Sequence, residues 1–419
     1  MDEIFGVSIE WADGHKQYSA GFQTKGEFEK GWQSALKKAY QSAVVRCVCD
    51  GKGERRLAIK SSSTSGRFLL AKFPLTGHNH ARACRFYAAN SSLSGTADYV
   101  KGVVDAEADG RITIKLGIGL KLAKPEGEHV TTPQSSPRHA GGGQTSIRLL
   151  GLLHFLWEQS ALNTWRPGFK GKRSLGGIQK WIRDAAGNVN ANGTDLADVL
   201  ILPAQIQNGP GHKFNDAAVT AAVQHGRRLL VIAAVAKCRP GATLTGEKMR
   251  IAGFYGVPNI YVSPHLWSTV TRRFHMAAGA WEQGHQVVAI VQIEMRSGGG
   301  LHAADAVDMA LMAVNKNWIP FESSYEMRVA DMLCADDRSF TKPLRYDADN
   351  EVVFPDFILT DTPRDTPLEV FGRADEAYSA RKEAKVAYYV NKFGQGNWWC
   401  WDAASDPLGN NMPPIPPKR

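Results

Sequence analysis

The sequence reads Phe354-Pro355-Asp356-Phe357-Ile358-Leu359 and, after a polar turn, Leu368-Glu369-Val370-Phe371-Gly372. Two short apolar runs separated by a segment rich in Asp, Pro, Thr and Arg predict a β-hairpin. Each predicted strand carries one carboxylate, Asp356 or Glu369, which is costly to desolvate unless a partner binds it. A divalent cation is one such partner. The alternative interpretation places both acids on the wet face of an edge hairpin.

Helices are predicted on both sides of this hairpin. The first begins at about Ser324 and carries Glu326, which also has the spacing of a capping box with Ser323, a purely structural alternative. The second is predicted from Asp375 to about Asn391. Residues at spacings of four, three and four share one face of that helix, namely Tyr378, Lys382, Lys385 and Tyr389. With strands predicted at 340–346 and 397–402, residues 316–405 are expected to fold in the order αβββαβ.

This order and its acids resemble the PD-(D/E)XK nuclease superfamily, which has a restriction-endonuclease-like fold. The resemblance implies that Glu326, Asp356 and Glu369 are catalytic acids. It also implies that Asp356 and Glu369 hold Mg²⁺ or Mn²⁺. Their separation in the sequence is ordinary for a hairpin with a short loop.

The lysine of that superfamily has no direct counterpart here. It normally stands two residues after the second acid and steadies the attacking water, whereas this chain has Phe371 there. Some members supply the lysine from the following helix, and the resemblance therefore implies Lys382 or Lys385. The function implied is that of a metal-dependent DNA endonuclease. The alternative is a catalytically inactive DNA-binding accessory protein.

A separate group of ligand-type residues lies within residues 46–85. A Cys-x-Cys pair, a predicted hairpin and a His-x-His-x-x-x-Cys run supply thiolates and imidazole in tetrahedral number, a set that Zn²⁺ favours. We predict a structural zinc site of Cys47, Cys49, Cys84 and His80, with His78 as the alternative fourth ligand. Buried thiols and exposed histidines without a metal are the competing interpretation.

Residues 165–181, the basic segment, contain five basic residues and no acid. Basic side chains between aromatic residues suit contacts with a phosphate backbone, although many such runs are merely solvated. The candidate nucleic-acid-binding residues are Arg166, Lys170, Lys172, Arg173 and Lys180.

The 419 residues are enough for two or three domains, and we expect an α/β chain that is α+β overall. The predicted parts are an N-terminal domain (1–122) with a zinc-ribbon-like module (about 46–85), a linker (123–146), a mixed α/β middle domain (147–315), a nuclease-like domain (316–405) and a Pro-rich tail (406–419). In the middle domain, strands are predicted at 198–202, 228–237, 249–262 (interrupted at Pro258) and 287–295, and helices at 215–225, 265–283 and 304–314.

Composition narrows the functional classes. A net charge of +9 favours a polyanionic partner such as DNA. No apolar run approaches the roughly 20 residues of a membrane-spanning helix, and the amino end lacks signal-peptide features, so a cytoplasmic location is expected. The six cysteines do not suggest a disulfide framework, and no phosphate-loop motif predicts nucleotide hydrolysis.

The chain as a whole resembles the uncharacterised domain-of-unknown-function family 1173 of conjugative plasmids and integrative elements. The resemblance is carried by the region from Cys47 to Cys84, by residues 153–158, and by Phe340 through Lys385. It implies a bacterial mobile-element or defence setting, with protein partners encoded on the same element. It implies no established activity, and the oligomeric state stays open.

Overall fold

The computed structural model describes residues 3–62, 65–74, 76–89, 104–107, 111–121, 146–239, 241–253, 255–296, 302–344, 354–373 and 376–419. Within these ranges the protein is a mixed α/β structure with four sheets and ten helices. The predicted linker 123–146 lies almost entirely outside the described residues, and so does most of a strand predicted at 97–104.

The N-terminal sheet is antiparallel, with the order β2-β1-β3-β4-β5. Its strands are β1 (Val7–Trp11), β2 (Gly14–Tyr18), β3 (Val44–Cys47), β4 (Arg56–Ser61) and β5 (Phe68–Lys72). Two helices, α1 (Ala20–Thr24) and α2 (Glu29–Ala39), follow β2. Trp32 and Leu36 of α2 are buried four residues apart, because side chains at that spacing lie on one helix face.

A small sheet with the order β10-β9-β7-β6 follows. Its strands are β6 (Val104–Ala106), β7 (Ile112–Ile114), β9 (Val189–Ala191) and β10 (Thr194–Asp195). Helices α3 (Leu149–Gln159) and α4 (Leu175–Ala186) lie between β7 and β9 in the sequence. The middle of α3 is buried on all sides, which explains its nearly continuous apolar sequence.

The large sheet has the order β11-β12-β14-β15-β13. Its strands are β11 (Leu200–Ile201), β12 (Leu229–Ala234), β13 (Asn259–Tyr261), β14 (Gln286–Met295) and β15 (Ala303–Val314). The accompanying helices are α5 (Leu196–Val199), α6 (Pro210–His225), α7 (Pro264–Arg273) and α8 (His275–Glu282). The single helix predicted at 265–283 is therefore two helices that meet at Phe274. Among the described residues, only Leu200–Ile201 of the strand predicted at 198–202 and Asn259–Tyr261 of the one predicted at 249–262 form strands.

The prediction of a helix at 304–314 is wrong, because these residues form most of β15. Alanine and methionine give the run a high helix propensity. However, β15 pairs with β14 from Ala304 to Val314, and the half from Met309 to Val314 is fully buried. Sheet pairing and burial therefore override local propensity.

The C-terminal sheet has the order β19-β18-β17-β16-β8. Its elements in chain order are β8 (Thr164–Trp165), α9 (Ser324–Ala335), β16 (Phe340–Thr341), β17 (Phe357–Leu359), β18 (Thr366–Val370), α10 (Glu376–Phe393) and β19 (Trp399–Trp401). Strands β17 and β18 form the antiparallel hairpin, and β19 runs parallel to β18. Because β8 pairs with β16, this sheet includes residues from the stretch that the sequence assigned to the middle domain.

The tail, residues 406–419, packs against the C-terminal core. Met412 and Ile415 contact that core, and the Trp399 indole donates a hydrogen bond to the Pro413 carbonyl at 3.0 Å. None of the helices in the described ranges has both the length and the apolar composition needed to cross a membrane.

Candidate functional sites

Cys47, Cys49, His80 and Cys84, the Cys/His cluster, meet in the N-terminal domain with their ligand atoms within 4.8 Å of one another. The Cys47 and Cys84 Sγ atoms are 3.8 Å apart, and His80 Nδ1 lies 3.6 Å from Cys49 Sγ and 3.7 Å from Cys84 Sγ. A tetrahedral zinc site has S–S edges of about 3.8 Å and S–N edges of about 3.6 Å, given its usual bond lengths. The cluster could therefore hold a metal such as zinc.

Two turns bring these ligands together. Cys47 ends β3, and Cys49 follows it at the start of a turn that contains Gly51. A Cβ atom on Gly51 would lie 2.0 Å from the Asn79 carbonyl oxygen, so only glycine lets this turn approach the one before His80. The alternative ligand His78 is exposed, whereas His80 is buried, which selects His80.

The cluster also favours a thiolate, the form of cysteine that binds metals. The hydrogen bond with Cys84 lowers the pKa of Cys47 to about 4, and the same contact raises the pKa of Cys84. The Ala81 N–H points to Cys49 Sγ at 3.3 Å and stabilises negative charge on that sulfur.

A second group of charged residues, the acid site, lies in the C-terminal domain. Asp356 immediately precedes β17 and would be the next residue to pair with Glu369 of β18, since Phe357 pairs with Leu368. The Val370 N–H donates to Asp356 Oδ2 at 2.7 Å, which fixes the carboxylate beside β18. The site comprises Glu326, Lys342, Asp356, Glu369 and Lys385.

Both carboxylate oxygens of Glu369 have partners from α10. Lys385 Nζ lies 2.5 Å from Oε1, and the Tyr389 hydroxyl donates to Oε2 at 2.9 Å. The helix face predicted from the sequence therefore supplies a lysine to the acids, and that lysine is Lys385. Lys382 instead pairs with Asp402 at 2.7 Å.

Phe371 is buried, and Lys382 Nζ lies 5.3 Å from the centre of its ring. The Phe371 ring thus occupies the position at which the resemblance implies a lysine. Lys382 of α10 lies over this ring and pairs with Asp402, which is not part of the acid site.

Glu326 has both a structural and an electrostatic role. The Ser323 hydroxyl accepts a hydrogen bond from the Glu326 N–H at 3.1 Å, and Glu326 Oε2 accepts one from the Glu322 N–H at 3.1 Å. Glu326 therefore caps the helix as a capping box predicts, except that its carboxylate accepts from the N–H of Glu322 and not from that of the N-cap residue Ser323. The same oxygen also lies 2.7 Å from Lys342 Nζ, which joins Glu326 to the acid site.

Lys342 is a member of the acid site that sequence reasoning missed. It follows β16, its side chain is only 5% exposed, and its Nζ lies 3.7 Å from Asp356 Oδ1. The available signal was a lysine in the apolar run Phe340 to Leu344, the same kind of anomaly that singled out Asp356.

The crowding of acids changes their titration. Burial, followed by the charges of Glu369 and Glu326, raises the pKa of Asp356 well above its usual value, although Lys342 and Lys385 act in the opposite direction. Burial also raises the pKa of Glu369. For Lys342, burial alone would lower the pKa, but the neighbouring carboxylates raise it. Such clusters of displaced pKa values are typical of functional sites.

The basic segment is divided between structural and exposed residues. Arg173 donates hydrogen bonds to carbonyl oxygens that include Leu162 at 3.0 Å and Asn317 at 2.7 Å, and burial lowers its pKa to about 10. Arg166 donates to the Tyr87 carbonyl at 2.8 Å. These two guanidinium groups therefore hold the fold together.

The lysines of the basic segment are more accessible. Lys172 is exposed, Lys170 pairs loosely with Asp337 at 3.5 Å, and Lys180 pairs with Asp184 at 2.6 Å. Their role in binding nucleic acid stays a prediction.

The Cys/His cluster is linked to the hairpin that carries the acids. Arg82 pairs with Asp365 at 2.6 Å and also donates to the Thr362 carbonyl oxygen. The Tyr87 hydroxyl donates to the other oxygen of Asp365 at 2.6 Å. Arg82 and Tyr87 flank Cys84, and Asp365 lies in the β17–β18 loop. The contacts of Arg82 and Tyr87 with this loop, here named the Asp365 clamp, therefore join the two sites.

A family model described as a protein of unknown function, DUF1173, matches residues 18–404. The chain belongs to that family. The match includes both the Cys/His cluster and the acid site of this DUF1173 protein. No curated protein and no solved structure matches it. Membership of the DUF1173 family assigns no activity to the chain.

Proposed function

We propose that this DUF1173 protein is a metal-dependent DNA endonuclease whose catalytic centre is the acid site. One observation carries the proposal: Glu326 from α9, the hairpin acids Asp356 and Glu369, and Lys385 from α10 converge on one place. Their elements follow the order αβββαβ, in keeping with the resemblance to PD-(D/E)XK nucleases. A mobile-element or defence setting is part of the same proposal.

The hairpin acids suit Mg²⁺ or Mn²⁺. Both cations prefer carboxylate oxygens, and each oxygen of Glu369 has one hydrogen-bond partner and keeps further lone pairs. Burial and mutual repulsion raise the pKa of Asp356, a penalty that a bound cation would relieve. Such a cation, when bound, supplies an acidified water as nucleophile and neutralises charge on the phosphate.

The remaining groups prepare the site for phosphodiester hydrolysis. Tyr389 holds Glu369 in one orientation through its hydroxyl. The Lys385 side chain is 27% exposed, more than the other charged groups of the acid site, so its ammonium can meet an incoming phosphate and offset the charge that develops there. Lys385 thereby takes the role of the lysine that Phe371 replaces.

The other regions would position the substrate. Exposed lysines of the basic segment, Lys170 and Lys172, suit the DNA backbone without reading its sequence. The Cys/His cluster, with zinc, would support the hairpin through the Asp365 clamp.

The decisive experiment is nicking of supercoiled plasmid by the purified, zinc-loaded chain in Mg²⁺ or Mn²⁺. We expect nicking by the wild type, its loss in Asp356→Asn and Glu369→Gln, and its retention in Asp336→Asn, which alters an exposed acid at the end of α9. Equal nicking by all four proteins would indicate a contaminating nuclease and refute the proposal.

The second candidate is a catalytically inactive DNA-binding accessory protein. Phe371 favours it, because the lysine position of the nuclease motif holds a buried aromatic ring. DNA binding at low salt without cutting in either cation would select this candidate. Absence of both binding and cutting would eliminate both candidates and leave a protein-interaction role.

A further inference from the structure

Lys342 closes the inner end of the acid site. Its Nζ lies between Glu326 Oε2 at 2.7 Å and Asp356 Oδ1 at 3.7 Å. The ring centre of Phe357 lies 5.1 Å from the same nitrogen. The ammonium thus has a carboxylate on two sides and an aromatic ring on another, and it is almost completely shielded from solvent.

The backbone of Lys342 is fixed as firmly as its side chain. Its N–H donates to the Asn163 carbonyl at 2.7 Å, and its own carbonyl accepts from Asn163 Nδ2 at 2.8 Å. Asn163 is buried beside β8, so its carbonyl continues the β8–β16 pairing by one residue and its side-chain amide adds a second bond. The ammonium is therefore held in place before any ligand arrives, which is the condition for a preorganised charge.

The two lysines of the acid site have different carboxylate partners and differ in their exposure to solvent. The exposed fraction of the side chain rises from 5% at Lys342 through 18% at Asp356 to 27% at Lys385. A ligand from solvent therefore meets Lys385 and Asp356 first, whereas the Glu369 side chain, 3% exposed, is as buried as that of Lys342. Lys385 is therefore the lysine that an incoming ligand can contact, whereas Lys342 is enclosed by Glu326, Asp356 and Phe357.

Two-cation nuclease sites hold their metal ions about 3.5–4 Å apart between shared carboxylates. In this chain the space between Glu326 and Asp356 contains an ammonium group instead. Three ionised carboxylates and two ammonium groups leave a net charge of −1. One divalent cation would change that charge to +1, whereas a second would raise it to +3 among buried groups.

We infer that Lys342 is a built-in cation that replaces a second metal ion, so that the acid site takes a single divalent cation at Asp356 and Glu369. This inference rests on the proposed function, because it specifies the cation requirement of the same site. Lys342 is a positioning residue in this scheme, since its ammonium bridges Glu326 and Asp356 and does not need to touch substrate.

The test is to count Mn²⁺ ions by electron paramagnetic resonance titration of the zinc-loaded full chain, with residual binding in Asp356→Asn/Glu369→Gln subtracted. We expect one Mn²⁺ per wild-type chain and two per chain in Lys342→Met, because the vacated carboxylates then accept a cation. Lys342→Met/Glu326→Gln should return to one. Lys342→Gln, which keeps a hydrogen-bonding group, replaces Lys342→Met if the latter does not fold.

Arg338→Met is the matched control, since it breaks another buried ion pair of the same domain, with Asp361 at 2.8 Å, and should leave the count at one. Two ions on the wild type, or a single ion of unchanged affinity on Lys342→Met, would overturn the role of Lys342 while the nuclease proposal stands. No bound ion on the wild type would overturn both.

Discussion

Loss of one ligand from the Cys/His cluster should separate a zinc site from a group of buried thiols. We expect one zinc per chain, and we expect His80→Ala to lose it because the imidazole is one of four ligand groups within 4.8 Å of one another. For a single site, each tenfold fall in free zinc should lower the free energy of unfolding of the N-terminal domain by about 1.4 kcal/mol while the site is mostly filled. A slope twice as steep would indicate two ions.

The assay is chemical unfolding at a series of buffered zinc concentrations, followed by tryptophan fluorescence, with the metal content measured in parallel. His78→Ala is the matched control, because that imidazole is exposed and should leave both the slope and the metal content unchanged. His80→Cys should restore binding, since four thiolates also form a structural zinc site. A wild-type stability independent of zinc, or equal zinc content in His80→Ala and His78→Ala, would refute the assignment.

Three further predictions concern other parts of the chain. Burial raises the pKa of Asp356, so the folded state holds this proton more tightly than the unfolded state, and stability falls as pH rises from the ordinary range of aspartate through the raised pKa. In urea unfolding at alkaline pH, the free energy of unfolding of Asp356→Asn should therefore exceed that of the wild type by about 0.5–2 kcal/mol, and this difference should disappear in acid. A difference that does not depend on pH would contradict this prediction. Arg82→Met removes the ion pair with Asp365 and should lower the free energy of unfolding by about 2–3 kcal/mol, less than loss of a fully buried pair. Hydrogen exchange in the β17–β18 loop should become faster, and unchanged exchange there would argue against the Asp365 clamp. Lys172→Glu should reduce the slope of log K for DNA binding against log salt concentration by about one, without lowering the melting temperature. Arg173→Glu should instead unfold the protein, because its guanidinium group binds backbone carbonyls. Equal effects of the two variants would contradict the division of the basic segment into structural and exposed residues.

The parts of the sites that could be predicted from sequence are those whose chemistry is unusual for their surroundings. Three cysteines and a histidine in a short interval indicate a metal site, and the structure brings them together. Alternation along a strand and a short turn place Asp356 opposite Glu369 once the hairpin forms. Helical spacing places Lys385 and Tyr389 on one face of α10, and both contact Glu369.

The sequence could not predict which residues from distant segments contact each charged side chain in the folded chain. Lys382 and Lys385 are equivalent by spacing, and only their partners in the folded chain, Asp402 and Glu369, distinguish them. Arg173 looks like an exposed basic residue, yet backbone carbonyls from distant loops surround it. Lys342 is held in place by backbone hydrogen bonds with Asn163, which is far away in the sequence.

The Asp365 clamp sets an order of events during synthesis. Arg82 and Asp365 are separated by 283 positions, so ribosomes working at about 5–20 residues per second need roughly 15–60 s to deliver the second partner after the first. During that interval the N-terminal module lacks its contacts with the β17–β18 loop, whose Asp365 later binds Arg82 and Tyr87. Completion of the fold therefore joins the earliest and the latest parts of the chain, and a nascent protein released before the hairpin is made cannot assemble its two sites against each other.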